Sequence, residues 1–205
     1  SFTTAENANG STMLSIVLSD DGGTENDGED SSDVQTFFLT INPVNDKPSF
    51  VKGADIQVNE DSGEQFIPGW ATEIIPGAEN EADQTLTFQI SGYDATLFGM
   101  QPVISGTGDL SFTPAENANG ITTVTIVLGD DGGVGNGGED TSDAQTFTIM
   151  VDAINDAPFA SDDAFSVDQN RQLVLDAPGI LANDFDVEGD SLTVELLSSV
   201  NHGTL

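Results

Sequence analysis

GDDGGVGNGGEDTSDAQTFTIMVDAINDAP, residues 129–158, is an acidic, glycine-rich loop followed by one alternating apolar strand and an Asn-Asp-x-Pro hinge. Nearly the same block, SDDGGTENDGEDSSDVQTFFLTINPVNDKP, occupies residues 19–48. The copies lie 110 residues apart without a gap, and 29 of 48 positions are identical between residues 1–48 and 111–158. A repeat of that length carries a whole domain per period. The chain therefore divides into the C-terminal part of a first unit (1–46), a complete unit (47–156) and the N-terminal part of a third, related unit (157–205). Because Ser1 and Leu205 both fall inside a repeat, the sequence reads as a segment of a longer chain.

Within the complete unit the apolar residues alternate with polar ones, the two-residue period of half-buried strands. Ile56 and Val58 mark a first strand and Phe66 and Ile67 a second, with Trp70 and Ile74 in the turn region after it. Leu86, Phe88 and Ile90 mark a third. Leu97 and Phe98, then Val103 and Ile104, are short apolar pieces in a Gly/Pro-rich background that stand in fourth place, and Leu110 and Phe112 start a fifth strand. Val124, Ile126 and Leu128 give the sixth, Phe147, Ile149 and Val151 the seventh. No segment has a helical period. Seven short strands separated by turn signals predict an all-β, Greek-key, Ig-like sandwich, repeated along the chain like beads on a rod. In the first unit Leu14, Ile16 and Leu18, then Phe37, Leu39 and Ile41, predict two strands without a full core. In the third, strands are expected at Phe165 and Val167, at Leu173–Leu175, and at Leu192, Val194 and Leu196.

Charge narrows the partners. The chain has 36 acidic residues against 3 basic ones, a formal charge of -33. Nucleic acid and anionic membrane surfaces are excluded as partners, and cations are favoured. There is no cysteine, so metal ions are the natural cross-link between loops. No apolar run is long enough to insert in a membrane. Apolar content of 37% and strong strand periodicity argue against disorder. A diffuse, salt-adapted acidic surface is the competing reading, but here the acids concentrate in loops.

Those loops carry oxygen ligands of the kind Ca2+ takes, six to eight per ion. The hinges offer Asn45 and Asp46, then Asp152, Asn155 and Asp156. Other loops offer Glu6, Glu79, Glu81, Asp83, Asp130 and Asp131 near the first hinge, and Glu60, Asp61 and Glu116 near the second. In the third unit Asp184-x-Asp186-x-x-Gly189-Asp190 alternates carboxylates around a turn glycine. If the seven strands run alternately up and down, Glu60, Asp61 and Glu116 reach the second hinge, where Asp184 and Asp186 also lie. Glu6, Glu79, Glu81, Asp83, Asp130 and Asp131 gather at the first hinge by the same logic. Crowded carboxylates disfavour one another unless a cation sits between them. Aspartate and asparagine also occupy turns for geometric reasons alone.

The order of these motifs resembles the cadherin-like and Ig-like tandem repeats of giant bacterial surface proteins and RTX-type adhesins. Asp152-Ala153-Ile154-Asn155-Asp156-Ala157-Pro158 is similar to the cadherin linker, Glu60 to its base glutamate, Glu116 to its lower-loop acid and Asp184/Asp186 to its Asp-x-Asp pair. The resemblance implies calcium-rigidified domains in an extracellular stalk. The neighbouring repeats would be its partners, and any contact with surface glycans or other cells would pass through domains outside this segment. Two departures are visible: Gln169-Asn170 stands where an acidic pair is expected, and Asn42-Pro43 replaces Asp152-Ala153 at the first hinge. The run Gly132-Gly133-Val134-Gly135-Asn136-Gly137-Gly138 is a single copy, too little for a β-roll, and no lysine follows it to bind phosphate. The one histidine, His202, lies at the end of the chain, so the complete unit has no histidine-based triad and no enzyme is expected. A carbohydrate-binding module is the alternative, with Trp70 or Tyr93 as its sugar platform.

Overall fold

Val124, Ile126 and Leu128 point one way from their strand and Thr123, Thr125 and Val127 the other, and that strand is the axis of the complete unit. The computed structural model describes residues 1–198, 200 and 201. Its first unit contributes β1 (Gly10–Ile16) and β2 (Gln35–Ile41). The complete unit contains β3 (Ser49–Val51), β4 (Ile56–Asn59), β5 (Gln65–Ile67), β6 (Thr72–Ile75), β7 (Thr87–Ser91), β8 (Phe98–Ile104), β9 (Leu110–Pro114), β10 (Gly120–Gly129) and β11 (Gln145–Asp152). The helices among the described residues are single 3-10 turns, at Glu25–Asp27, Glu79–Glu81, Ala95–Leu97, Gly135–Gly137 and Gly179–Leu181. None is long and apolar enough to cross a membrane.

Two main sheets face each other. One has the order β4-β11-β10-β7 and the other β5-β9-β8, with the short pair β3-β6 beside them. The chain switches between these two sheets four times, from β4 to β5, from β5 to β7, from β7 to β8 and from β9 to β10, the crossing pattern of a Greek-key sandwich. All pairs are antiparallel except β4 with β11, which run parallel. Seven alternating strand directions require that parity, because the first and last strands are both odd. Between the sheets lie Leu110, Phe112, Val124, Ile126, Leu128, Phe147 and Ile149, all buried. Phe98 packs edge-on to Phe112 at 5.7 Å, and Trp70 tilts against Phe147 at 4.4 Å.

All seven predicted strands form, and β3 and β6 are additions. Ile74 belongs to β6, in a stretch expected to be a turn. Trp70 is buried and its indole N–H donates to the Ala54 carbonyl at 3.0 Å. Tyr93 is half-buried and packs edge-on to Phe98 at 5.8 Å. Neither ring is laid flat on the surface as a sugar platform.

The first unit's hairpin repeats the register of its counterpart: Leu14 faces Phe37 as Val124 faces Phe147. Its apolar residues are exposed or, at Leu39 and Ile41, only half-buried, because the described residues supply no second sheet for them. The third unit departs from expectation. Phe165 and Val167, Leu173–Leu175, and Leu192, Val194 and Leu196 form no strands. Among its described residues one bridge forms, joining Phe159 to Phe185, whose rings stack at 5.2 Å. Apolar alternation makes a segment able to bury one face, but a strand also needs a neighbour for its N–H and C=O groups. His202 lies outside the described residues.

Candidate functional site: the two hinges

Repeat chemistry places the acidic loops at the ends of the sandwich. At the first hinge, Asp46 donates its backbone N–H to Glu81 Oε1 at 3.0 Å, and Ala78 donates to Glu81 Oε2 at 3.1 Å. Glu81 is buried, and both its oxygens are used as backbone acceptors. Gly77, in a left-handed conformation, lets Glu81 and Asp46 approach: a Cβ there would meet both. Asn45 donates its amide to Asp130 Oδ1 at 2.9 Å and to the Glu139 carbonyl at 2.7 Å, and accepts from Gln84 Nε2 at 2.6 Å. Asp131 Oδ1 accepts from the Thr85 N–H, which holds this carboxyl below its ordinary value. Lys47, also in the hinge, pairs with Asp143 at 3.0 Å on the surface.

The remaining residues at this end line shared clefts. Glu6 and Glu79 line one with Asn7 and Asn80, while Asp83 and Asp131 line another with Glu81 and Asn80. Asp46 borders a third, again with Asn80. Asn80 borders each of these and was not singled out from the sequence, where two glutamates flank it. The up-and-down topology thus does gather the first-hinge residues at one end of the unit.

At the second hinge Glu60 is the anchor. It closes β4, its backbone N–H donates to the Asp152 carbonyl at 2.9 Å, and its side chain is 2% exposed. Glu60 Oε1 accepts from the Ile154 N–H at 2.8 Å, while Oε2 is buried without a protein partner. Asp61 follows in a left-handed conformation and accepts from the Asn117 N–H at 3.3 Å, bringing the Glu116 loop to this end. Beyond Ile154, Asn155 bonds the Asp156 carbonyl. Asp156 donates its N–H to Glu188 Oε2 at 3.3 Å, and Asp156 Oδ2 is also buried without a partner. Asp186 Oδ1 accepts from the N–H groups of Glu188 and Asp190 at 3.1 and 3.0 Å. A chain of contacts therefore runs from Glu60 through the hinge to Asp186.

Two expected members, Asp184 and Asp152, bond other partners, and a third joins only through its main chain. Asp184 accepts from Ser161 at 2.8 Å, Asp152 accepts from Gln57 at 2.7 Å, and Asp190 joins by its backbone. Glu188 is the unforeseen member. It sits inside the Asp-x-Asp-x-x-Gly-Asp string at a position read as a spacer. Lost hydration pushes its carboxyl above the usual range, and the charges of Asp156 and Asp186 push the same way. Among the described residues, no three acidic or histidine side chains converge closely enough to hold a metal by themselves. Any ion here needs amide and carbonyl oxygens as well, which Ca2+ accepts.

Comparison with known proteins adds one match. Residues 155–205 match the family model described as Bacterial Ig domain. No curated protein and no solved structure matches the chain. The third unit is thus similar to a bacterial Ig domain, in keeping with the all-β sandwich of the complete unit that precedes it.

Proposed function

We propose that the chain is a calcium-rigidified spacer, part of the stalk of an extracellular bacterial adhesin or surface fibre, with no catalytic role. One observation carries this reading: Glu60 Oε2 and Asp156 Oδ2 are buried carboxylate oxygens without protein partners, one on the upstream unit and one in the hinge. A buried, unpaired carboxylate is costly, and a cation bound across it removes the cost. Glu60 and Asp156 would supply carboxylate oxygens to Ca2+ at the second hinge, completed by amide and carbonyl oxygens, with Asp61, Glu116, Asn155, Asp186 and Glu188 around it, the acids among them adding negative charge. Glu6, Asp46, Glu79, Asp83 and Asn80 would serve the first. Bound Ca2+ supplies positive charge and oxygen coordination; the protein supplies the rigid strand ends that present the ligands. The extracellular setting fits the weak calcium affinities of such modules, on the order of 0.1–1 mM.

Small-angle scattering of this chain with EDTA and with millimolar Ca2+ tests the reading. The expected result is a narrower distribution of shapes and a longer maximum dimension with Ca2+. Superimposable profiles would sink it.

A further inference from the structure

We propose that the glycine loop Asp130–Asp140 is a docking site for the asparagine of the hinge that enters its unit, and that this contact fixes the hinge to the downstream unit without a metal ion. The proposal is distinct from the calcium reading, although Asp130 Oδ2 at this contact is buried without a partner, as Glu60 Oε2 and Asp156 Oδ2 are.

Asn45 is held from every side of its amide. Both of its amide hydrogens have acceptors, Asp130 Oδ1 and the Glu139 carbonyl, and its oxygen takes the Gln84 amide. Its backbone carbonyl also accepts from the Glu139 N–H at 3.0 Å. The orientation has no tolerable alternative: turning the amide over would set its oxygen against a carboxylate and a carbonyl. Aspartate, with no donors, would meet the same repulsion.

The glycines of the loop divide by purpose. Gly133 and Gly137 have φ of +77° and +88° and make the turns. Gly132 and Gly138 are outside that region, and Gly138 has φ -67°. Gly132 is small because of the hinge that lies against it, whereas Gly138 is also crowded by the Gly133 carbonyl at 3.0 Å, as Gly28 is by the Gly23 carbonyl in the first unit. A Cβ on Gly132 would overlap the Asn45 amide, and one on Gly138 would come within 2.9 Å of Asn45 Cβ.

The first unit supplies the comparison. Its loop has the same internal frame: Ser19 bridges Ser31 as Gly129 bridges Thr141. Gly22 donates to Asp20 as Gly132 donates to Asp130, both at 2.9 Å. No hinge residue lies against it, and a Cβ on Gly22 would meet nothing but the Asp20 side chain, from 3.1 Å. The cradle is therefore made by the loop itself, and its ligand is an asparagine in an extended hinge. At the second hinge the equivalent residue is Asn155, where the Bacterial Ig domain match starts. Without calcium the rod would bend upstream of Asn45, at Asn42–Val44.

Amide hydrogen exchange on the whole chain, in EDTA and in Ca2+, tests this. The Glu139 N–H is expected to be protected equally in both. Gly132→Ala and Asn45→Ala should each speed its exchange about tenfold or more, the factor a lost net hydrogen bond carries, while Gly22→Ala changes no protection factor. Asn45→Ala leaves the loop glycines in place, so it remains informative if Gly132→Ala misfolds. Protection of Glu139 that needs Ca2+, or survives Asn45→Ala, would overturn the latch. Equal effects of Gly22→Ala and Gly132→Ala would overturn it too, by showing that these glycines serve only the loop.

Discussion

Phe147→Ala is expected to destabilise the complete unit by about 3–5 kcal/mol, the usual cost of truncating a buried phenylalanine. Phe37→Ala, the same substitution one repeat earlier, is expected to change stability by less than about 0.5 kcal/mol. Both residues stand in the same strand of the same hairpin register, opposite Val124 and Leu14 respectively. Their surroundings differ. Phe147 is 2% exposed, with the Trp70 ring at 4.4 Å, whereas Phe37 is 47% exposed. Losing the Phe147 ring leaves a cavity between two sheets that cannot close over it, because Leu110, Ile126 and Ile149 are already fixed by their ladders. Losing the half-exposed Phe37 ring opens no closed cavity, because water reaches that face of the hairpin already. Calorimetric melting of the two variants should separate them by roughly 12–20 °C, at about 4 °C per kcal/mol for a unit of this size. Equal shifts would mean that the first unit has a closed core of its own in this chain.

Glu60→Gln is expected to reverse its rank with calcium. In EDTA the variant should be at least as stable as the parent. It keeps the acceptor for the Ile154 N–H and removes a buried charge whose second oxygen has no partner. In Ca2+ at about a hundred times the dissociation constant, the parent should gain about 2.7 kcal/mol per site filled. The variant, without the carboxylate that draws the ion, should gain far less. Thermal unfolding in the two conditions gives the four values needed. A variant that is weaker than the parent in EDTA and shows the full calcium increment would show that Glu60 is only a backbone anchor. Glu81 provides the contrast: both its oxygens already accept backbone N–H groups, so Glu81→Gln should lose stability with or without calcium.

The sandwich was legible in the sequence because its main strands are long enough to show a period. Val124, Ile126 and Leu128 could hardly be read otherwise. β3 and β6 were not legible, since three or four residues hold too few alternations to count. Trp70 and Ala71 just before β6 look like a turn flanked by Gly69 and yet are buried. The third unit shows the opposite limit. Phe165 and Val167 have the right alternation, but alternation records which face can be buried and does not provide the neighbouring strand.

For the hinges, topology was enough to bring Glu60 and the Glu116 loop toward Ile154 and Asp156, because strand parity fixes which loops share an end. It was not enough to assign each oxygen. Alternation of carboxylates does not point to Glu188, because it is the turn at Gly189 that brings the intervening glutamate back to the hinge. Asn45 read as a potential oxygen donor. In the fold it also gives two hydrogens, and only the position of Asp130 and Glu139 reveals that. Asn80, between Glu79 and Glu81, carries no charge to mark it in the sequence.

The calcium account is tested most directly by calorimetric titration of Ca2+ into EDTA-treated protein at about 0.15 M NaCl, where surface charges are screened beyond ~8 Å. Saturable heat at a small whole-number stoichiometry, with a matching rise in melting temperature, is the predicted result. No saturable heat, and a rise in stability that NaCl reproduces equally well, would contradict it and leave a diffuse acidic surface in place of hinge-bound ions.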